Sequence, residues 1–346
     1  MRASPGVVAG ALVGVIASAA LLGGAAPAGA DRAAGETVLT FADPEIVESS
    51  GLVASGGLFH TVNDSGDTGR VFSVDESGAT VGVTTWSADA VDVEALAPGG
   101  PEAPEEVWVA DIGDNRGARE SVSVTRVPVG RGETDATDAP SYTLVYPDGA
   151  RDAETLAVDP GDGRLYVASK GVLGGELFRA PADLDPDAPN ELEPVGPVLG
   201  LATDGAFTPD GRHLVIRSYA RAVVYAMPEA EAVASFTLPD QPQGEGLAVD
   251  ADGRVLLTTE GAGTDLLAVT VPADVRALLD GDAASEGPSD EPTEDAEAEP
   301  APEPAEETDE PADDESGWDP MQLLGGVALL AVAVLVGVWS RGFNRR

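Results

Sequence analysis

The 346-residue sequence has no cysteine, one lysine, two histidines and only 5% aromatic residues. Without cysteine there is neither a disulfide framework nor thiol chemistry, so any folded region must rest on its own apolar core. His60 and His213 fall in separate strand-like segments that argue against a histidine dyad, and no Ser-His-Asp arrangement or nucleophile elbow is present. Positive charge is scarce: 19 Lys and Arg face 61 Asp and Glu, a net charge of -42. Such a chain repels nucleic acid and anionic lipid at close range, which leaves cationic ligands and metal ions as the better-matched partners. Between residues 36 and 272 there is also no long helical periodicity.

The two ends carry addresses. Arg2, an apolar stretch over 6–22 and the small residues Ala28-Gly29-Ala30 read as a secretory signal over residues 1–30, with Asp31 starting the mature chain. Met321 to Trp339 is an uncharged apolar run of nineteen residues, about 29 Å as a helix. A transmembrane helix is therefore expected over 318–340. Arg341, Arg345 and Arg346 follow it, so residues 341–346 form a basic cytoplasmic tail and the N-terminal domain faces outward. Residues 280–317 hold seventeen acidic residues and no Lys or Arg; this composition reads as a disordered spacer. The chain is thus expected at the cell membrane with a folded ectodomain over 31–279.

That ectodomain is a repeat. Ser50-Gly51-Leu52-Val53-Ala54, Glu94-Ala95-Leu96-Ala97, Glu154-Thr155-Leu156-Ala157-Val158, Asp204-Gly205-Ala206-Phe207 and Glu245-Gly246-Leu247-Ala248-Val249 each open a unit. Units of roughly 40 to 60 residues, built of short Val-, Leu-, Phe- and Thr-rich strands between Gly, Asp and Pro turns, predict an all-β propeller. Five blades are expected. The second unit is long enough to hide a sixth. The fifth unit lacks a fourth strand of its own, and Val38-Leu39-Thr40-Phe41 is placed to supply it, closing the ring without free edges.

At Glu48-Ser49-Ser50-Gly51-Leu52, Asn63-Asp64-Ser65-Gly66-Asp67, Asp111-Ile112-Gly113-Asp114-Asn115, Arg151-Asp152-Ala153-Glu154 and Gln243-Gly244-Glu245-Gly246 the ectodomain resembles a group of exported actinobacterial β-propellers. More distantly its blades are similar to those of β-propeller phytases and of calcium-dependent lactonases related to senescence marker protein and paraoxonase. The distant likeness implies topology; fold alone does not carry activity.

In a propeller the start of each innermost strand and the end of each second strand share one face. Glu94, Glu154, Asp204 and Glu245 are thereby expected at one mouth of the central channel, as candidate metal ligands. Asn63, Asp64, Asp111, Asp114, Asn115, Lys170, Arg217 and Glu260 are expected around them, and of these Asn63, Asp64, Asp111, Asn115, Lys170, Arg217 and Glu260 are candidate ligand-binding residues. Carboxylates and amides without cysteine suit a hard cation such as Ca²⁺, which takes six to eight oxygen ligands. The alternative is that these acids cap turns by accepting backbone N–H bonds. Neither Asn63–Asp67 nor Asp111–Asn115 matches an EF-hand loop. Lys170, the only lysine, can bind an anion, balance two carboxylates or lose its proton. Three functions remain open: binding of an extracellular protein, glycan or small ligand; calcium-dependent phosphoester or lactone hydrolysis with Glu154 or Glu245 as base and Lys170 alongside; and a purely structural, wall-spacing role.

Overall fold

The computed structural model describes residues 32–280 apart from Ser65, Ala88 and Asp89. The expected signal sequence, the spacer beyond Asp280, the apolar run and the basic tail lie outside the described residues. Among the described residues no helix is long and apolar enough to cross a membrane.

Strand β1 (Ala34–Thr40) is followed by the first unit, β2 (Ser49–Ser55), β3 (Leu58–Asn63), β4 (Gly69–Val74) and β5 (Thr80–Ser87). The second unit supplies β6 (Val93–Pro98), β7 (Glu106–Asp111), β8 (Val122–Pro128), β9 (Gly132–Asp135) and β10 (Ser141–Val145). The third supplies β11 (Ala153–Val158), β12 (Leu165–Ser169), β13 (Gly175–Arg179), β14 (Asn190–Glu191) and β15 (Glu193–Val198). Then come β16 (Asp204–Phe207), β17 (His213–Arg217), β18 (Arg221–Ala226) and β19 (Glu231–Thr237), and last β20 (Gly244–Val249), β21 (Val255–Thr259) and β22 (Asp265–Thr270).

These strands form five sheets, each an antiparallel meander led by β2, β6, β11, β16 or β20. The five leading strands pack against one another in a closed cycle around a channel. The ring is sealed as the sequence predicts: β1 pairs with β22, Ala34 opposite Thr270 and Thr40 opposite Asp265. The long second unit hides no sixth blade. Its surplus is β9, which leaves its own blade to lie parallel to β5 of the first, and the outer edge of the second blade is extended in turn by β14, parallel to β10.

The turns away from the acidic mouth share one chemistry. Asp75, Asp159, Asp210 and Asp250 each accept the N–H two residues on through Oδ1, at 3.0, 2.8, 3.1 and 3.0 Å, the side-chain mimic of a backbone turn. Apolar side chains fill the wedges between blades rather than one centre, in five buried clusters. Between the second and third blades Tyr146 meets Phe178 edge-on at 5.0 Å. A fully buried Val, Leu or Phe of this kind contributes about 1.5–3 kcal/mol, and each wedge holds several.

The recurring glycine of the repeat has a steric cause. A Cβ at Gly51 would sit 2.2 Å from the Leu96 backbone nitrogen, and one at Gly246 would sit 2.3 Å from Thr258 Oγ1. At Gly51 the neighbouring inner strand β6, and at Gly246 the second strand β21 of the same blade, approaches too closely for any side chain. One helix, absent from the sequence expectation, follows the last strand: α1 (Ala273–Leu279). It buries Val275 and Leu279 one turn apart, and Arg276 donates to the carbonyls of Gly253 (2.9 Å) and Asp252 (3.1 Å). Seven residues cannot hold a helix alone in water, so this docking sustains it.

Candidate acidic site at the channel mouth

Four of the five inner strands begin with an irregularity in pairing. The register shifts between Ser49 and Leu52, between Val93 and Ala95, between Ala153 and Thr155, and between Gly244 and Leu247. Each shift brackets Ser50, Glu94, Glu154 or Glu245. A bulge re-aims the side chain it carries. In the fourth blade the pairing is regular from its first residue, Asp204 opposite Arg217.

That difference separates the four candidate metal ligands. Asp204 is fully enclosed, its Oδ1 accepting from the Gly205 N–H at 2.8 Å and its Oδ2 from the Leu247 N–H at 2.7 Å. Burial pushes its carboxyl well above the usual range, and the backbone donors offset part of that shift. It ties blade four to blade five. Glu94, Glu154 and Glu245 are buried at the mouth itself. Burial, reinforced by the charges of Glu154, Asp64 and Asp92, pushes Glu94 up to about 10. Glu154 is pushed up to about 8 by burial, with Lys170 opposing and Glu245 adding. Glu245 is raised by burial, with Lys170 and Arg217 opposing. Outside them, burial and the nearby charge of Glu245 bring Glu260 up to about 7.

The carboxylates that come together as a trio are Asp64, Asp92 and Glu94, whose oxygens lie within 4.8 Å of one another. Only Glu94 of the four expected metal ligands belongs to this set; Asp204, Glu154 and Glu245 do not. Asp92 was missed by the sequence reading. Its signal is the spacing Asp92-Val93-Glu94, because residues two apart along an extended segment share a face. Burial, then the charge of Asp64, raises its carboxyl.

Beside the trio, Lys170 Nζ donates to Glu154 Oε1 and, at 2.9 Å, to the Tyr219 hydroxyl, whose ring it also faces at 5.3 Å. Burial alone would lower the lysine, but Glu154 and Tyr219 prevail and raise it. Tyr219 is a second member that sequence reasoning passed over. Glu154 Oε2 is left buried with no hydrogen-bond partner, on a side chain only 5% exposed. A buried acceptor left unmade costs about 1–3 kcal/mol.

The remaining candidates divide sharply. Arg217 is enclosed, donating to Gly246 O (3.1 Å), Thr258 O (3.3 Å), Ser218 O (3.3 Å) and Gln241 Oε1 (3.0 Å). Burial brings it down to about 10, and it serves the ring's interior. Asn63 accepts from the N–H groups of Val47 (3.0 Å) and Glu48 (3.1 Å), and donates to Glu45 O (2.8 Å) and Asp67 (2.9 Å). Asp111 clamps the Val91 and Asp92 N–H groups at 2.9 and 3.1 Å and pairs with Arg119. Asp114 accepts from the Arg119 N–H at 2.7 Å, and Asn115 beside it is exposed. Gln243 donates to Glu260. Asn63 and Asp111 therefore shape the loops that carry Asp64 and Asp92. Asn63→Ala should lower stability by about 1–3 kcal/mol through its orphaned N–H partners, measured by chemical denaturation, with no requirement for added ligand.

The histidines stand apart from the mouth. His60 bonds Ser73 at 3.0 Å and burial brings it down to about 4; His213 opens β17 at the opposite end.

No protein-family model matches the chain, and no curated protein matches it. Among solved structures it is similar to a glucose dehydrogenase, at 13% identity and a TM-score of 0.42 over 69% of this chain and 100% of that one. It is also similar to an iodide and a calcium structure of the Trichoderma reesei carbohydrate-active enzyme of family AA12, at 14% and 13% identity and TM-scores of 0.39, over 64% of this chain and 80% of each of those. At such scores the likenesses carry no argument about chemistry.

Proposed function

We propose that the chain is an exported, membrane-tethered binding propeller whose acidic mouth holds a hard divalent cation, calcium, and engages an extracellular protein, glycan or small ligand there. The observation that carries this reading is the trio of Asp64, Asp92 and Glu94, three carboxylates from two adjacent blades with oxygens within 4.8 Å. Like charges so close repel, and a dication relieves the repulsion while replacing lost solvation with oxygen ligands. A donor set of carboxylates alone, in a chain without cysteine, selects hard cations over zinc or copper. The resemblance to exported actinobacterial propellers, the signal-like start and the apolar run before a basic tail support a mouth that faces out of the cell in this reading.

Thermal melting of the full-length protein tests the metal. At a hundredfold excess over its dissociation constant, calcium adds about 2.7 kcal/mol, which for a domain of this size raises the midpoint by roughly 5–10 °C relative to chelator. Asp92→Asn should abolish the shift while leaving the chelated midpoint intact or higher. An unchanged midpoint at millimolar calcium would remove the metal from this account.

A further inference from the structure

Six large apolar side chains are exposed among the described residues: Val47, Val91, Val172, Leu173, Leu201 and Val233. Isolated exposed apolar residues are ordinary and need no explanation. These are not scattered. Val233 lies on the outer strand β19, whereas the other five lie in connections of the mouth face. Val47 leads into β2 and Val91 into β6; Val172 and Leu173 form the tip between β12 and β13, separated from Lys170 by Gly171; Leu201 leads into β16. Leu173 is as exposed as in an extended chain, at 102%, and Val172 and Val91 follow at 77% and 62%.

The connections are tied to one another and to the site. Leu201 donates its N–H to Gly171 O at 2.9 Å, the N–H of Gly261 reaches Val47 O at 2.8 Å, and the Val91 N–H is held by Asp111. The apolar positions thus form an arc over four blades around a centre of Asp64, Asp92, Glu94, Glu154 and Glu245. Inside that arc the only lysine is already engaged by Glu154 and Tyr219, Arg217 is enclosed, and Glu154 Oε2 has no partner. One dication and Lys170 together do not neutralise these acids once they are deprotonated, so the centre attracts a further positive group even with calcium bound.

We infer that this face docks a polypeptide segment that presents a lysine or arginine between apolar side chains. The basic head enters the mouth, where Glu154 Oε2 supplies an acceptor, and the apolar neighbours cover Val91, Val172 and Leu173. An acidic well with an apolar border fits that alternation and rejects acidic segments and anionic bilayers by charge. The inference rests on the mouth being a binding site but not on calcium occupying it.

Selection of a displayed random-peptide library on the full-length protein, in chelator and in calcium, tests it. Enrichment of sequences with a central Lys or Arg and apolar neighbours is expected. A selected peptide should lose about tenfold in affinity, the equivalent of about 1.4 kcal/mol, when its basic residue is replaced by norleucine. Val172→Ser with Leu173→Ser should erase the preference for apolar neighbours, and Glu154→Gln the preference for the basic residue, while both variants still melt cooperatively as folded proteins. Enrichment of acidic or uncharged sequences, no enrichment at all, or equal binding to neutral lipid vesicles would overturn the inference. The calcium melt reports separately on the metal, so the two readings fail independently.

Discussion

Replacing Arg217 by alanine should destabilise the propeller by about 3–5 kcal/mol, the range seen when one partner of a buried charge network is removed, and leave much of the chain unfolded at 37 °C. The side chain is fully enclosed at the end of β17, and its guanidinium serves the carbonyls of Gly246, Thr258 and Ser218 together with Gln241. Truncation strands those acceptors and removes the positive charge that opposes the raising of Asp204 and Glu245. Lysine is a poor substitute, since a point ammonium cannot span acceptors on both blades as the planar fork does. Denaturant titration of Arg217→Ala and Arg217→Lys measures both losses. A loss below about 1 kcal/mol, the size of an ordinary surface change, would show that the guanidinium does not bridge the fourth and fifth blades.

In chelator the protein should be most stable near pH 5 and should lose stability steadily toward pH 9. Glu94 and Glu154 are raised to about 10 and about 8 in the folded state, whereas an unfolded glutamate titrates near 4.3. Between those limits the folded chain holds more protons than the unfolded one, so stability falls as pH rises, by at most about 1.4 kcal/mol per pH unit for each such carboxyl. Below that window the sign reverses. Asp67, whose carboxyl is held low chiefly by Arg70 and Asn63 against the effect of burial, contributes stability that is lost on acidification. Glu94→Gln has no proton to surrender and should flatten the alkaline decline. Saturating calcium should flatten it as well, by binding the deprotonated form. A melting midpoint that rises from pH 6 to pH 9 in chelator would contradict the assignment.

The fold was largely legible because it is written locally. Alternating Val, Leu and Thr segments between Asp- and Gly-bearing turns give strand and turn at every step, and the five repeated openings give the count. What escaped was decided by distant partners. Strand β9 has the composition of a turn-rich loop and becomes a strand only because β5 offers it an edge. Helix α1 carries its one clear signal in Val275 and Leu279, too short a pattern to stand against the propeller that precedes it. At the mouth, the repeat located Glu94, Glu154, Asp204 and Glu245 equivalently, yet bulges re-aim three of them and leave the fourth in register, where it bonds backbone. Repetition in sequence conceals such differences in pairing. Asp92 and Tyr219 lie outside the repeated phrase and were passed over for that reason.

The seal between β1 and β22 also sets a schedule. Ala34 faces Thr270 across the sheet, so the first of the described strands must wait for nearly the whole propeller before its partner exists. Until then Gly35 to Thr40 is an unsatisfied edge, and the fifth blade lacks its rim. Ring closure is therefore a long-range event that comes late in assembly and carries a large loop-closure entropy. A chain halted before residue 265 would hold four blades and a dangling first strand, the form most exposed to proteolysis and to pairing with a neighbour of its own kind.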